Sequence, residues 1–199
     1  SVLTVPDGDG PDREISRVPT KVALSKDGSV IVLKDSGTNS LLVSDDSGKN
    51  WSAKTASFDI AGIFVSNDGS TVIASDADNT GLISRDRGVS WSSLENFSCG
   101  KNPKVVGSAD GRILYSAAFS YTARSGESGV VGTCYRKSLD GDVSWSETLV
   151  PTTDYIGSPN GVFGSPDGQT VAIATGAAKL GGVNPAALYV SVDAGVTWK

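Results

Sequence analysis

The sequence contains no histidine and no methionine, only two cysteines, and aromatics at 7%. No apolar run approaches the roughly 20 residues that cross a bilayer as a helix. Each absence removes a class of function. Without imidazole there is no Ser-His-Asp or Cys-His catalytic machinery and no histidine metal ligand. The two cysteines, Cys99 and Cys134, are not spaced as Cys-x-x-Cys and have no histidine to complete a zinc site. Net charge is -5, so no basic field attracts nucleic acid or anionic lipid. Ser1 to Val5 shows neither the charged start nor the apolar stretch of a secretory signal, and the chain reads as soluble, without membrane insertion.

What remains is abundant glycine, at 24 residues, with Ser, Thr, Asp and Asn crowded between short apolar runs. That is the composition of many short strands joined by tight turns. A chain of 199 residues with 38% hydrophobic content can bury a sizeable core, and a single domain spanning 1–199 is expected.

Two internal repeats organise this domain. The first is a strand, then Ser-x-Asp-Gly, then a second strand, at Val22 to Gly28, Ile63 to Gly69, Val105 to Gly111 and Val162 to Gly168. Asp-Gly between two β-rich runs is a strong hairpin signal because both central positions tolerate positive φ. The second repeat reads Ser44 to Trp51, Ser84 to Trp91, Ser138 to Trp145 and Ser191 to Trp198, with Asp46, Asp86, Asp140 and Asp193 third in each. All four tryptophans, Trp51, Trp91, Trp145 and Trp198, close this motif. The carboxylate is expected to accept backbone N–H groups of its own turn, while the indole folds over the hairpin. Asn50 replaces the usual Ser or Thr, and Asp142 the usual Gly. Aspartate tolerates a left-handed conformation and Gly141 stands beside it, so the third turn should be altered in detail but kept.

This second motif resembles the Asp-box, or bacterial neuraminidase repeat, of sialidases and other β-propellers. The resemblance implies an all-β chain of four four-stranded antiparallel blades, at about 20–55, 60–95, 104–150 and 161–199, forming a β-propeller or a segment of one. Strands run A, B, C, D in each repeat, D beginning at the Trp. Residues 1–6 resemble a strand D and would close the last blade of a small ring. Alternatively the four repeats are part of a larger ring completed by further repeats or another copy of the chain. The second is favoured, since propellers of this kind usually have six or more blades.

The sialidase resemblance also implies a substrate-binding arginine in an Arg-Ile-Pro motif, which Arg17-Val18-Pro19 imitates. After the first strand B, where that family often places another acid and arginine, the chain has Lys34-Asp35-Ser36-Gly37. Positions for the other two arginines and for the Tyr-Glu pair are absent. The expected role is therefore non-catalytic: an extracellular or cell-surface structural, adhesion or recognition module with a glycan or protein ligand and no cofactor. The alternatives are a fragment of a sialidase-like glycoside hydrolase and an intracellular assembly-factor propeller.

Binding groups are expected on the long B–C connections, Ala117 to Gly132 and Gly176 to Pro185. The first carries Phe119, Tyr121, Arg124 and Glu127. Asp7 to Asp12 and Asp76 to Gly81 are rich in carboxylates, but neither ends in the glutamate of a calcium loop, so turn chemistry and no metal are expected. Cys99 and Cys134 are either buried thiols or one disulfide, the latter implying an oxidising compartment. Asn50-Trp51-Ser52 and Asn96-Phe97-Ser98 are candidate N-glycosylation sequons.

Overall fold

The computed structural model describes residues 4–5, 13–14, 19–35, 38–122, 130–150, 159–176, 178–179, 183–184 and 186–199. Within them every regular element is a β-strand. Two short strands, β1 (Thr4–Val5) and β2 (Arg13–Glu14), pair with each other. Blade 1 follows, with β3 (Lys21–Leu24), β4 (Ile31–Lys34), β5 (Ser40–Ser44) and β6 (Ser52–Thr55). Blade 2 holds β7 (Gly62–Val65), β8 (Val72–Ser75), β9 (Gly81–Ser84) and β10 (Ser92–Ser93). Blade 3 holds β11 (Lys101–Gly107), β12 (Leu114–Thr122), β13 (Val130–Ser138) and β14 (Ser146–Leu149). Blade 4 contains β15 (Pro159–Gly164), β16 (Val171–Thr175) and β19 (Ala187–Ser191), with a small hairpin of β17 (Ala178–Lys179) and β18 (Val183–Asn184) between the last two.

Each blade is an antiparallel meander, and the inner strands pack in series, β3 on β7, β7 on β11 and β11 on β15. Thr4–Val5 is paired with Arg13–Glu14, and the fourth sheet has three strands, its outer edge carrying Lys199, which exchanges both backbone bonds with Val190. The described blades therefore form an open series.

Strand B of blades 2 and 3 reads as a nearly continuous apolar run because both of its faces are covered. In β8 every residue is buried. The core is accordingly divided among the joints between blades. Val30, Val32, Leu41 and Val43 of blade 1 meet Val65, Val72 and Ala74 of blade 2. Phe64, Ile73 and Ile83 of blade 2 meet Val105 and Leu114 of blade 3. The last joint is aromatic: Tyr135 stacks on Tyr115 at 5.8 Å and meets Trp198 edge-on at 5.2 Å. Burial raises the phenol pKa of Tyr115 to about 12 and that of Tyr135 further.

The A–B hairpins expected at Ser-x-Asp-Gly are present in all four blades. Gly28 N–H donates to Ser25 O at 3.0 Å, and Ser25 N–H to Val30 O at 2.9 Å, which makes a four-residue loop built on a type I turn. Only the glycine takes positive φ, at +70° for Gly28. The serine hydroxyl completes the ladder, accepting Val30 N–H at 3.0 Å and donating to Asp27 at 2.7 Å. These turns also link the blades: Lys26 N–H donates to Asn67 O, Asp68 N–H to Ala109 O and Ala109 N–H to Pro166 O.

Glycine has a second duty at the joints. A Cβ on Gly88 would stand 2.5 Å from Cγ1 of Val43 in the preceding blade, and Gly69, Gly111, Gly168 and Gly195 are approached in the same way by Val30, Thr71, Ile113 and Tyr135. Gly28, in blade 1, has nothing within 4 Å. Gly28→Ala should therefore cost about 1 kcal/mol, from backbone strain alone. Gly88→Ala should cost about 3 kcal/mol, because overpacking is added. Urea denaturation of the two variants, with Val43→Ala recovering part of the second loss, measures the difference.

Candidate recognition surface

Strand alternation puts the A–B and C–D turns at one end of the blades and the B–C and D–A connections at the other. At the first end the four C–D turns are closed clips. In the second, Asp86 accepts Ser90 N–H at 2.8 Å and the Ser90 hydroxyl at 2.5 Å. Ser84 donates to Asp86 at 2.8 Å and accepts Gly88 N–H at 2.8 Å. Trp91 Nε1 donates to Gly88 O at 2.8 Å. Asp46, Asp140 and Asp193 make the corresponding bonds. Asn50 replaces the hydroxyl residue without loss, since its Nδ2 reaches Asp46 Oδ2 at 2.6 Å.

The third turn keeps its shape by reversing an order. The left-handed pair is Ser47-Gly48, Arg87-Gly88 and Ala194-Gly195 elsewhere, and Gly141-Asp142 here, with φ of +72° and +92°. Arg85 of blade 2 fills this joint. It donates to Gly111 O at 2.9 Å, to Thr71 Oγ1 at 3.0 Å, to Asp142 Oδ1 at 2.8 Å and to Gly141 O. Burial raises the Asp142 pKa, and the guanidinium opposes the shift. Arg87 similarly bridges to Ser29 Oγ at 2.8 Å and Asp45 O at 3.2 Å in blade 1, and Lys137 to Ala194 O at 2.9 Å in blade 4. These joint cations were not singled out from sequence. Their one signal is placement, Arg85 and Arg87 at the variable positions of a motif whose other residues recur.

The opposite end is uneven. The expected loop Ala117 to Gly132 is largely strand: β12 and β13 have nine residues each and pair as far as Thr122 with Val130. Their alternation of β-branched and aromatic residues favours extension over a loop. Beyond Ala118 and Cys134 the hairpin outruns β14, and from Ser120 onward both of its outer edges lack a described partner. At about 3.3 Å per residue this arm rises roughly 10 Å above the blade. Its base is locked by the Cys99–Cys134 disulfide, with Cα atoms 6.0 Å apart, which settles the pairing left open by the sequence. Arg136 adds a second lock, donating to Glu147 Oε2 at 3.1 and 2.7 Å and to Asn96 O at 2.6 Å. The repeat-four connection contains the β17–β18 hairpin.

Phe119 is half-buried on β12, paired in register with Lys101 and Thr133, and Tyr121 lies two residues on in the same strand. Arg17, Arg124, Glu127, Ser36, Gly37 and Asp7 to Asp12 lie outside the described residues. Asp76 accepts Asp78 N–H at 2.7 Å and Thr80 N–H at 2.8 Å, a turn of the expected kind, and Asp78 pairs with Lys101. Lys34 pairs with Asp59 at 2.6 Å and donates to Ile60 O at 2.8 Å, so that cation serves the blade 1 to blade 2 connection. Asn50 and Asn96 are both exposed. A separate groove of about 360 Å³ runs between β6 and the second C–D turn, with Lys54, Arg87 and Trp91 on its walls.

No protein-family model and no curated protein matches the chain. Solved structures do. The GH74 xyloglucanase from Xanthomonas campestris aligns at TM-score 0.59 and 16% identity over 91% of this chain and 29% of its own. YCF48 bound to D1 peptide aligns at 0.53 and 18% over 97% and 58%, and U3-55K at 0.63 and 14% over 92% and 51%. At these identities the likeness is one of fold, a β-propeller, and the chain spans between about a quarter and three fifths of such proteins.

The turn carboxylates make stability acid-sensitive. Asp46, held chiefly by Asn50 N–H, Asp86, held chiefly by the Ser90 hydroxyl, and Asp140, held chiefly by that of Ser144, are lowered from 3.8 to about 2. A depressed folded-state pKa contributes stability that is present above the unfolded value and lost as pH falls through the folded one. Urea midpoints should therefore drop between pH 4 and pH 2. Asp86→Asn should lower the midpoint at pH 6 and flatten that drop.

Proposed function

We propose that this protein is a non-catalytic recognition module, extracellular or at the cell surface, that engages its ligand with the blade 3 arm. The observation that carries the reading is the hairpin of β12 and β13, extended beyond its sheet and covalently fastened at its base. A rigid projection from a regular scaffold presents groups at low ordering cost. Phe119 and Tyr121 occupy positions that share one face of β12, and two aromatic residues at that spacing suit the stacking faces of adjacent sugar rings. The xyloglucan-related name of one structural neighbour is in keeping with a polysaccharide ligand.

A second reading, a protein ligand, rests on the arm edges, which have no partner strand among the described residues. Such edges accept an extended peptide as an added strand. The peptide-bound state of YCF48 agrees with it. An oxidising location rests on the disulfide.

A glycan array probed with the full chain should give one defined glycan class, with affinity reduced at least tenfold, about 1.4 kcal/mol, in Phe119→Ala/Tyr121→Ala at unchanged circular dichroism. An array without binding would count against the sugar reading. Mass spectrometry of the protein from its native source should find Cys99 and Cys134 joined, and free thiols there would sink the extracellular assignment.

A further inference from the structure

The outer face of blade 4 is apolar and open, while on the outer face of blade 1 Leu33, Leu42 and Trp51 are buried and the inner strand is exposed. Phe163 and Leu188 on blade 4 are each 62% exposed, and Val22 and Leu24 on blade 1 are 61% and 56% exposed. Strand register places Phe163, Ala172, Ala174, Leu188 and Val190 on one face of blade 4. The corresponding faces of blades 1, 2 and 3 are buried in the joints, so this face continues an interface that the chain already forms three times.

Those joints obey a size rule at the inner strand. The residue two places before the A–B turn serine faces the following blade, where it meets the residue one place before that blade's own serine. In the first joint Ala23 and Val65 share the cluster. In the second, Phe64 lies over Gly107, its Cζ only 3.0 Å from where a Cβ would stand. In the third, Val106 lies over Gly164 at 3.7 Å. At each of these contacts at least one of the two residues is alanine or glycine. Phe163 occupies the same place as Phe64, its ring resting on Gly161 of its own strand. Blade 1 would offer Leu24 beneath it, and phenylalanine on leucine breaks the rule by a whole side chain.

We infer that the outer face of blade 4 receives a further blade of the same construction, with glycine at the place of Gly107 and Gly164, and does not pair with blade 1 of a second copy. At the A–B turn Val30, Thr71 and Ile113 each press on a glycine of the next blade and Thr170 is their counterpart on blade 4, a place that Gly28 of blade 1 would also fit, so the inner-strand contact alone separates the two occupants.

The test extends the full chain after Lys199 with a repeat of residues 147–199, which completes the outer strand of blade 4 and adds a blade whose glycine falls beneath Phe163. The melting temperature should rise by about 4 °C or more, and amide exchange in residues 159–164 should slow. Gly164→Leu in the appended copy alone should remove the gain attributable to the joint, which separates it from the effect of the completed strand. Combining that leucine with Phe163→Ala in the original blade should restore it. Equal stabilisation by glycine and leucine would overturn the inference. So would light scattering that finds the unextended chain as a two-copy species with residues 159–164 protected.

Discussion

Everything in this molecule depends on how closely one blade approaches the next. A sheet of four short strands buries too little by itself, and the cores lie between blades. Close approach requires that something be absent at each contact. A glycine at the turn admits the neighbour's Val30 or Val43, and a glycine on the inner strand admits Phe64. Where the third C–D turn lacks the glycine at its second left-handed position, an arginine from the preceding blade enters with four hydrogen bonds. The joint can thus be filled by packing or by a satisfied polar group, and the fold persists either way.

Much of this was legible in the residues. The spacing of Ser-x-Asp-Gly and the position of the four tryptophans located the blades, because each motif is a local clip whose bonds close within a few residues. Asp-Gly marked the A–B hairpins, and the serine hydroxyl shapes their loop, in which the glycine takes the positive φ. Length misled the reading of Ala117 to Gly132, since a long connection between strands B and C was taken as loop when the strands themselves are longer. The cysteine pairing and the joint arginines depend on contacts between residues 35 and more than 50 positions apart, beyond the reach of any local pattern.

The two ends of the blades divide the work. At the A–B and C–D end the side chains are committed to one another, which is why Asp46, Asp86 and Asp140 sit below their ordinary range. At the other end the repeats differ in length and chemistry, and that freedom is where a regular scaffold acquires a specific role. The separation lets one end vary while the joints stay fixed.

The disulfide also governs how force would travel. A chain under tension transmits load along its shortest covalent route, and between Cys99 and Cys134 that route is the S–S bond. Strands β11 and β12 and the whole arm lie inside the bypassed loop. A pull applied outside the loop leaves these strands unloaded, and a single cut between the two cysteines leaves both halves attached. The hairpin thus stands in a part of the chain that tension does not reach.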